Sequence, residues 1–196
     1  MSVRPIEPGE AAQAAATLAD AFADDPLMCW AGGFDDGSER LHHLFRAVIA
    51  RRFRRPESLV WCTPDTDAVA VWDGPGEAGW SVMDGIRSQP AVLRSFHLGA
   101  VRFLRSAAAM ARAHPAEPHY YLLAVGVRQG GQGRGLGSSV LRPMLDRCDG
   151  EGLPAYLENS KPQNEAFYAR LGFTAMPPFD LPKGAPPVMP MWREPR

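Results

Sequence analysis

Tyr120-Tyr121-Leu122-Leu123-Ala124-Val125-Gly126-Val127, followed after two residues by Gly130-Gly131-Gln132-Gly133-Arg134-Gly135-Leu136-Gly137-Ser138, decides how this chain reads. The first stretch is a near-continuous apolar run, the pattern of a central strand covered on both faces. The second is a glycine-rich turn that gives way to helical sequence from about Gly135 to Asp149. Glycines in such a turn admit positive φ and let the main chain approach a ligand closely. Successive amides at a helix start favour an anion. Strand, glycine turn and helix therefore predict a phosphate cradle; the plainer alternative is a flexible surface loop.

The kind of phosphate follows by elimination. A nucleoside triphosphate loop needs Lys and then Ser or Thr after its last glycine, and Leu136 and Gly137 follow Gly135 instead. A dinucleotide fingerprint needs glycine at its first, third and sixth places. Counted from Gly131 the sixth residue is Leu136, and counted from Gly133 it is Ser138. What remains is a Gln-Gly-x-Gly-x-Gly turn that suits a pyrophosphate held without a metal.

On the N-terminal side, Val3 to Ile6 reads as an opening strand and Glu7 to Glu10 as the turn into an alanine-rich helix, which Pro26 is expected to stop. Leu41, Leu44, Phe45, Val48 and Ile49 predict a helix from about Ser38 to Arg55. Ser58 to Cys62 and Asp67 to Asp73 read as strands. Gly79 to His114 is helical, with one break expected at Ser88-Gln89-Pro90. On the C-terminal side, Pro154 to Glu158 is the next strand. Lys161 to Leu171 is a short helix, Gly172 starts another strand, and Val188 to Trp192 is the last. A kink is expected at Pro143. The pattern gives one α/β domain over residues 1–196, a mixed sheet with helices on both faces.

The 196 residues carry 45% apolar and 22% charged residues and a net charge of −1, which point to neither a nucleic acid nor a membrane partner. Arg46, Arg51, Arg52, Arg54 and Arg55 concentrate positive charge locally, either as the solvated face and end of a helix or as a binding patch. Three widely spaced cysteines, Cys29, Cys62 and Cys148, match neither a disulfide framework nor a zinc pattern, so no metal is expected. With no signal-peptide core and no run of roughly 18 apolar residues, the expected location is cytoplasmic. The expected state is monomer or homodimer.

Gln132-Gly133-Arg134-Gly135-Leu136-Gly137 resembles the acetyl-CoA pyrophosphate loop of the GNAT superfamily of N-acetyltransferases. Ala124 to Val127 resembles the strand that receives pantetheine, and Tyr156 to Phe173 resembles the second motif of that superfamily. Ala21 to Pro26, Ala68 to Trp72 and the C-terminal third are similar to puromycin N-acetyltransferase and its bacterial relatives. The likeness is weakest between Asp73 and Pro115. Arg128-Gln129 departs from it, since relatives usually place a proline there.

The resemblance implies a mixed, mostly antiparallel sheet with a splayed parallel pair. It places the acetyl-CoA-binding core at about 118–175, with the acceptor side mainly at 1–115 and 175–196. It also implies coenzyme contacts at Val125, Gly126, Val127, Gln132, Gly133, Arg134, Gly135, Leu136, Gly137, Ser138, Asn164 and Tyr168. Main-chain N–H groups near Val125 to Val127 would meet the oxyanion.

Direct transfer from a thioester to an amine needs a neutral nucleophile, a stabilised oxyanion and a proton for the thiolate. Ser160 to Gln163 reads as a capping box, and Asn164 and Tyr168 stand four apart on one helical face. The Tyr168 phenol, protonated at neutral pH, is either helix core or, as the resemblance implies, the general acid. Glu158 at the end of its strand is the first candidate base or else a structural acid. Asp24, Asp25, His119 and Tyr121 are secondary candidates on the acceptor side. The expected acceptor is the amine of a small molecule. Trp30, Phe34, His42, His43, Trp61, Trp72 and Trp80 could give it a partly apolar site or simply form core. A non-catalytic acyl-CoA sensor and a protein or peptide acetyltransferase stay open as alternatives.

Overall fold

The computed structural model describes residues 2–35, 38–53, 59–76 and 82–196. Among the described residues, seven strands form one sheet: β1 (Arg4–Pro5), β2 (Val60–Cys62), β3 (Ala68–Asp73), β4 (Tyr120–Val127), β5 (Ala155–Asn159), β6 (Thr174–Ala175) and β7 (Met189–Arg193). Their order is β1-β2-β3-β4-β5-β7-β6, antiparallel throughout except for the β4–β5 pair. The helices are α1 (Ala11–Ala21), α2 (Pro26–Gly32), α3 (Ser38–Arg52), α4 (Val82–Phe96), α5 (Ala100–Ala113), α6 (Leu136–Glu151) and α7 (Glu165–Arg170).

Every residue of β3 is buried, and the strand alternates between two cores. Val69 and Val71 face a core shared with α1, α3, α4 and α5, while Ala68, Ala70 and Trp72 face one shared with α6 and α7. Leu18, Leu41 and Ile49 are fully enclosed in the first core, each contributing about 2 kcal/mol of apolar burial.

β4 changes phase part-way along. Tyr120 and Leu122 join the α6 core, Leu123 and Ala124 both join the α1 core, and Val125 and Val127 return to the α6 side. Two successive residues on one face are the mark of a bulge. The register confirms it: Val71 pairs with Ala124 but Trp72 with Leu122, leaving Leu123 as the extra residue.

Two prolines, Pro26 and Pro90, behave differently from expectation. Pro26 does not simply stop α1, which ends at Ala21. It opens α2 at the first helical position with Asp25 as N-cap, where a missing N–H costs nothing. Pro90 does not break the middle helix. α4 runs through it, with Val92, Phe96 and Ser95 buried against the rest of the core and the Ser95 hydroxyl donating to the Arg40 carbonyl at 2.8 Å. The break comes later, at His97 with φ 48°, where the chain passes so close to α2 that a Cβ on Gly99 would stand 1.9 Å from the Ala31 carbonyl oxygen. α6 likewise continues through Pro143 as one helix.

Arg52 corrects the reading of the arginine cluster as a solvated face. Its side chain is buried, ion-paired with Asp73 at 2.6 Å and donating to the Val48 and Trp72 carbonyls. Arg54, Arg55, Ser58, Gly79 and Trp80 lie outside the described residues.

Candidate active site

β4 and β5 pair in parallel only from Tyr120–Ala155 to Leu122–Leu157, after which they separate. β5 continues to Asn159 against β7, and β4 continues to Val127 against β3. The Arg128 N–H donates to the Asp67 carbonyl on the β3 side at 2.8 Å. Counting back by twos, Gly126 and Ala124 also turn their backbone groups toward β3, so Val125 and Val127 turn theirs into the gap. The bulge at Leu123 sets this phase.

A cavity of about 550 Å³ fills the gap. Val125 and Val127 form one wall, Glu158 and Asn159 the other. Gly131 to Gly133 with Gly135 to Ser138 close one end, and Asn164, Phe167 and Tyr168 line the α7 side. Gly130, Gly133 and Gly135 have φ of 81°, 75° and 79°, and, their chain neighbours aside, no atom of the described residues lies within 4 Å of where a Cβ would stand on any of them. The turn is therefore an open rim of backbone at the N-terminus of α6, shaped for a ligand carrying negative charge. Gly126 has a different reason to be glycine: a Cβ there would come within 2.7 Å of Ala21 Cβ on α1.

Tyr168 is buried in the core beside Phe167 and Phe173 and also lines this cavity. Burial, then the charge of Asp25, push its phenol well above the usual tyrosine range. Asp25 caps α2 by accepting the Met28 N–H at 3.0 Å and also accepts the Ser160 hydroxyl. Burial pushes the Asp25 carboxyl up. Beside it, Lys161 Nζ lies 2.5 Å from Asp24 Oδ1 and holds that carboxyl below its usual range. The exit of α1 is thus laced to the exit of β5.

A second, apolar cavity of about 110 Å³ lies on the helical side of the sheet. Phe22, Phe45, Val48, Phe103 and Met110 line it, and its polar end is Glu158, Tyr121 and His114. It shares Phe22, Leu123, Ala124 and Glu158 with the larger cavity. Glu158 Oε2 accepts the Tyr121 hydroxyl at 2.5 Å, while its buried Oε1 has no hydrogen-bond partner among the described residues and lies 3.9 Å from His114 Nδ1. Burial first, then the Glu158 charge, raise the Tyr121 phenol far above its usual range, so it remains a neutral donor.

Comparison with known proteins bears on this arrangement. The sequence profile of the Acetyltransferase (GNAT) family matches residues 91–173, which contain the splayed strand, the glycine turn and α7. An uncharacterized N-acetyltransferase of Schizosaccharomyces pombe is 28% identical over 185 residues, spanning 88% of this chain and 74% of the relative. A Corynebacterium glutamicum structure described as histone acetyltransferase HPA2 and related acetyltransferase superposes with a TM-score of 0.73 at 26% identity, covering 100% of this chain and 96% of that one. The chain has the GNAT fold, and its residues 91–173 match the acetyltransferase family of that name. Arylalkylamine N-acetyltransferase 2 of Aedes aegypti shares the fold, with a TM-score of 0.60 at 10% identity and 98% of each chain covered.

The fold brings nearly all of the expected site residues to one place. Val125, Gly126, Val127, Gln132, Gly133, Gly135, Leu136, Gly137, Ser138, Glu158, Asn164 and Tyr168 all line the larger cavity, and exposed Arg134 does not. Ser160 does not cap the following helix. Lys161 precedes a 3-10 turn at Pro162–Asn164, Asn164 precedes α7, and the Ser160 hydroxyl is committed to Asp25. Asp24 and Asp25 line the cavity but spend their charge on Lys161 and Ser160. None of Trp30, Phe34, His42, His43, Trp61 and Trp72 lines the apolar cavity, and Trp72 is wholly enclosed under α6. Phe22, Phe45 and Phe103 do that work. His114, read from the sequence only as a helix end, is the residue sequence reasoning missed. Its one visible signal is a second histidine five positions on, across the turn into β4.

Proposed function

We propose that this acetyltransferase moves the acetyl group of acetyl-CoA directly to the amine of a small molecule with an apolar body, both substrates being bound at once. Acetyl-CoA supplies an activated acetyl thioester. The residues of the larger cavity fit it: the open glycine rim suits its pyrophosphate, and the unpaired amides of Val125 and Val127 suit its pantetheine arm and the oxygen that gains negative charge. Asn164 would hold the pantetheine arm or a phosphate. Gln132, Gly133, Arg134, Gly135, Leu136, Gly137 and Ser138 would surround the phosphates, Arg134 from the solvent side.

Tyr168 would hydrogen-bond the departing sulfur. With its proton held so firmly by burial and by Asp25, it serves better as a hydrogen-bond donor to the thiolate than as a group that gives the proton away. Glu158 would draw the proton from the acceptor ammonium, because this residue lines both cavities and its Oε1 has no hydrogen-bond partner among the described residues.

The observation that carries the acceptor reading is that shared wall. An apolar cavity with room for on the order of one ring-sized group ends at a buried carboxylate, the pairing an amine with an apolar substituent needs. The similarity of Ala21 to Pro26 and of the C-terminal third to puromycin N-acetyltransferase-like proteins points the same way. Thiol release from acetyl-CoA tests it with 2-phenylethylamine, hexylamine, puromycin, spermidine and a lysine-bearing histone-tail peptide. Turnover is expected with the apolar-bodied amines and not with spermidine or the peptide. Preference for the peptide, or no release with any amine, overturns the proposal.

A further inference from the structure

The Glu158 carboxylate is the inner end of a longer chain of contacts. His114 caps α5, and its ring lies edge-on to Tyr121 and Tyr156, with centroids 4.9 and 5.0 Å away. Its Nδ1 faces Glu158 Oε1 at 3.9 Å, and its Nε2 lies 2.9 Å from Nε2 of His119. His119 is almost wholly buried, against Tyr156 and Trp192, and its Nδ1 lies 2.6 Å from the Glu117 carbonyl oxygen.

These partners leave little choice of tautomer. A carbonyl oxygen only accepts, so His119 Nδ1 carries a hydrogen and donates it. Burial holds the His119 imidazole in its neutral form by lowering its pKa, so its Nε2 bears a lone pair. The contact between the two Nε2 atoms is then a hydrogen bond only if His114 Nε2 is the donor. The one open position on His114 is therefore Nδ1, the nitrogen aimed at the unpartnered oxygen of Glu158.

We propose that His114 is the terminal proton acceptor for the acceptor amine, and that His119 is a positioning residue that fixes the tautomer allowing it. This rests on the reading of Glu158 as the group that meets the ammonium. The ammonium N–H bond breaks and its electron pair becomes the lone pair that attacks. Glu158 Oε1 takes the proton and passes it to His114 Nδ1, so the imidazole becomes an imidazolium and Glu158 returns to a carboxylate. The charges balance within the pair. At 3.9 Å the His114–Glu158 contact is an ion-pair distance, and transfer requires closure by about 1 Å, as catalytic contacts tighten when substrate binds. The groups facing His114 are Glu158 and Tyr156 from β5, and Tyr121 and the neighbouring His119 at β4. Asp73 on β3 adds its charge to those that raise the Tyr121 phenol. Both phenols are raised by burial and remain neutral.

Histidine-labelled protein without any substrate provides the primary test, since ring nitrogen and carbon-bound proton shifts report tautomers directly. At pH 8 the expected pattern is His119 protonated on Nδ1 and His114 on Nε2. His114 protonated on Nδ1 overturns the proposal. His119→Leu removes the acceptor and should leave His114 a mixture of tautomers. His119→Gln, whose amide can both donate to Glu117 and accept from His114, should restore the single one. Identical His114 signals in the two variants overturn the positioning role.

With acetyl-CoA and 2-phenylethylamine, His114→Asn should lower kcat about 100-fold, leave KM for acetyl-CoA unchanged and move the acidic limb of the rate profile. Wild-type kcat and profile in His114→Asn, alongside a large loss in Glu158→Gln, would remove His114 while leaving Glu158 in place. Wild-type behaviour in both variants would remove the base reading itself.

Discussion

At the scale of the residue, chemistry and packing compete for the same side chains. Tyr168 is core and cavity wall together, which is why helical spacing alone left its role open. Its burial decides what it can do: a phenol raised by desolvation and by Asp25 stays protonated across the working range. Tyr168→Phe keeps the ring contacts with Phe167 and Phe173 and removes only the donor. It should therefore fold normally, keep KM for acetyl-CoA within about twofold and lose about 100-fold in kcat. Unchanged kcat under conditions where chemistry limits the rate would assign Tyr168 to packing alone. Gly126 shows the opposite confusion. The sequence grouped it with the ligand-facing glycines, but its missing Cβ is required by Ala21 and Leu18 of α1 at 2.7 and 3.1 Å. A glycine within an apolar run does not reveal which neighbour comes close.

At the scale of the element, the strands and the glycine turn were readable because each has a local cause. Apolar runs, positive-φ glycines and the Gly172 stop (φ 97°) all act within a few residues. The bulge at Leu123 was not readable. Leu122-Leu123-Ala124-Val125 is apolar on either face, so no polar residue marks the change of phase, yet that change aims Val125 and Val127 at the cleft. Pro90 misled for a related reason: packing of α4 against α3 outweighs the local cost of the proline.

The last strand is held by chemistry far apart in sequence. Arg193 on β7 meets both carboxylate oxygens of Asp149 on α6 at 2.7 and 2.8 Å and donates to the Leu171 carbonyl at 2.9 Å. Hydrogen bonds from Arg193 hold the Asp149 carboxyl below the usual carboxylate range. A depressed carboxyl stabilises the fold above its unfolded pKa, and that contribution disappears as pH falls through the folded value. Asp149→Ala should thus cost about 3 kcal/mol at pH 7, a melting-point loss of roughly 10 °C. The gap between wild type and variant should narrow below about pH 4. A constant gap from pH 7 to pH 3, measured by thermal denaturation, would show that the loss comes from packing rather than from the ion pair.

At the scale of the whole molecule, two cores are clamped around a sheet that opens in its middle. Only three residue pairs hold β4 to β5 before the strands part, and beyond them the walls are laced from outside by Lys161 with Asp24 and Ser160 with Asp25. A ligand spanning the gap supplies contacts the sheet itself lacks, so its binding must appear as stability. At a concentration 100 times its dissociation constant, coenzyme A adds about 2.7 kcal/mol, and the melting temperature should rise by roughly 5 to 10 °C. The glycine rim and the strand amides are separable in this experiment. Pantetheine has the arm without the pyrophosphate, so at the same total concentration it should raise the melting temperature far less. Equal shifts from the two ligands would mean that the backbone between Gly130 and Ser138 contributes no grip on phosphate, and the strand edge alone would carry the affinity.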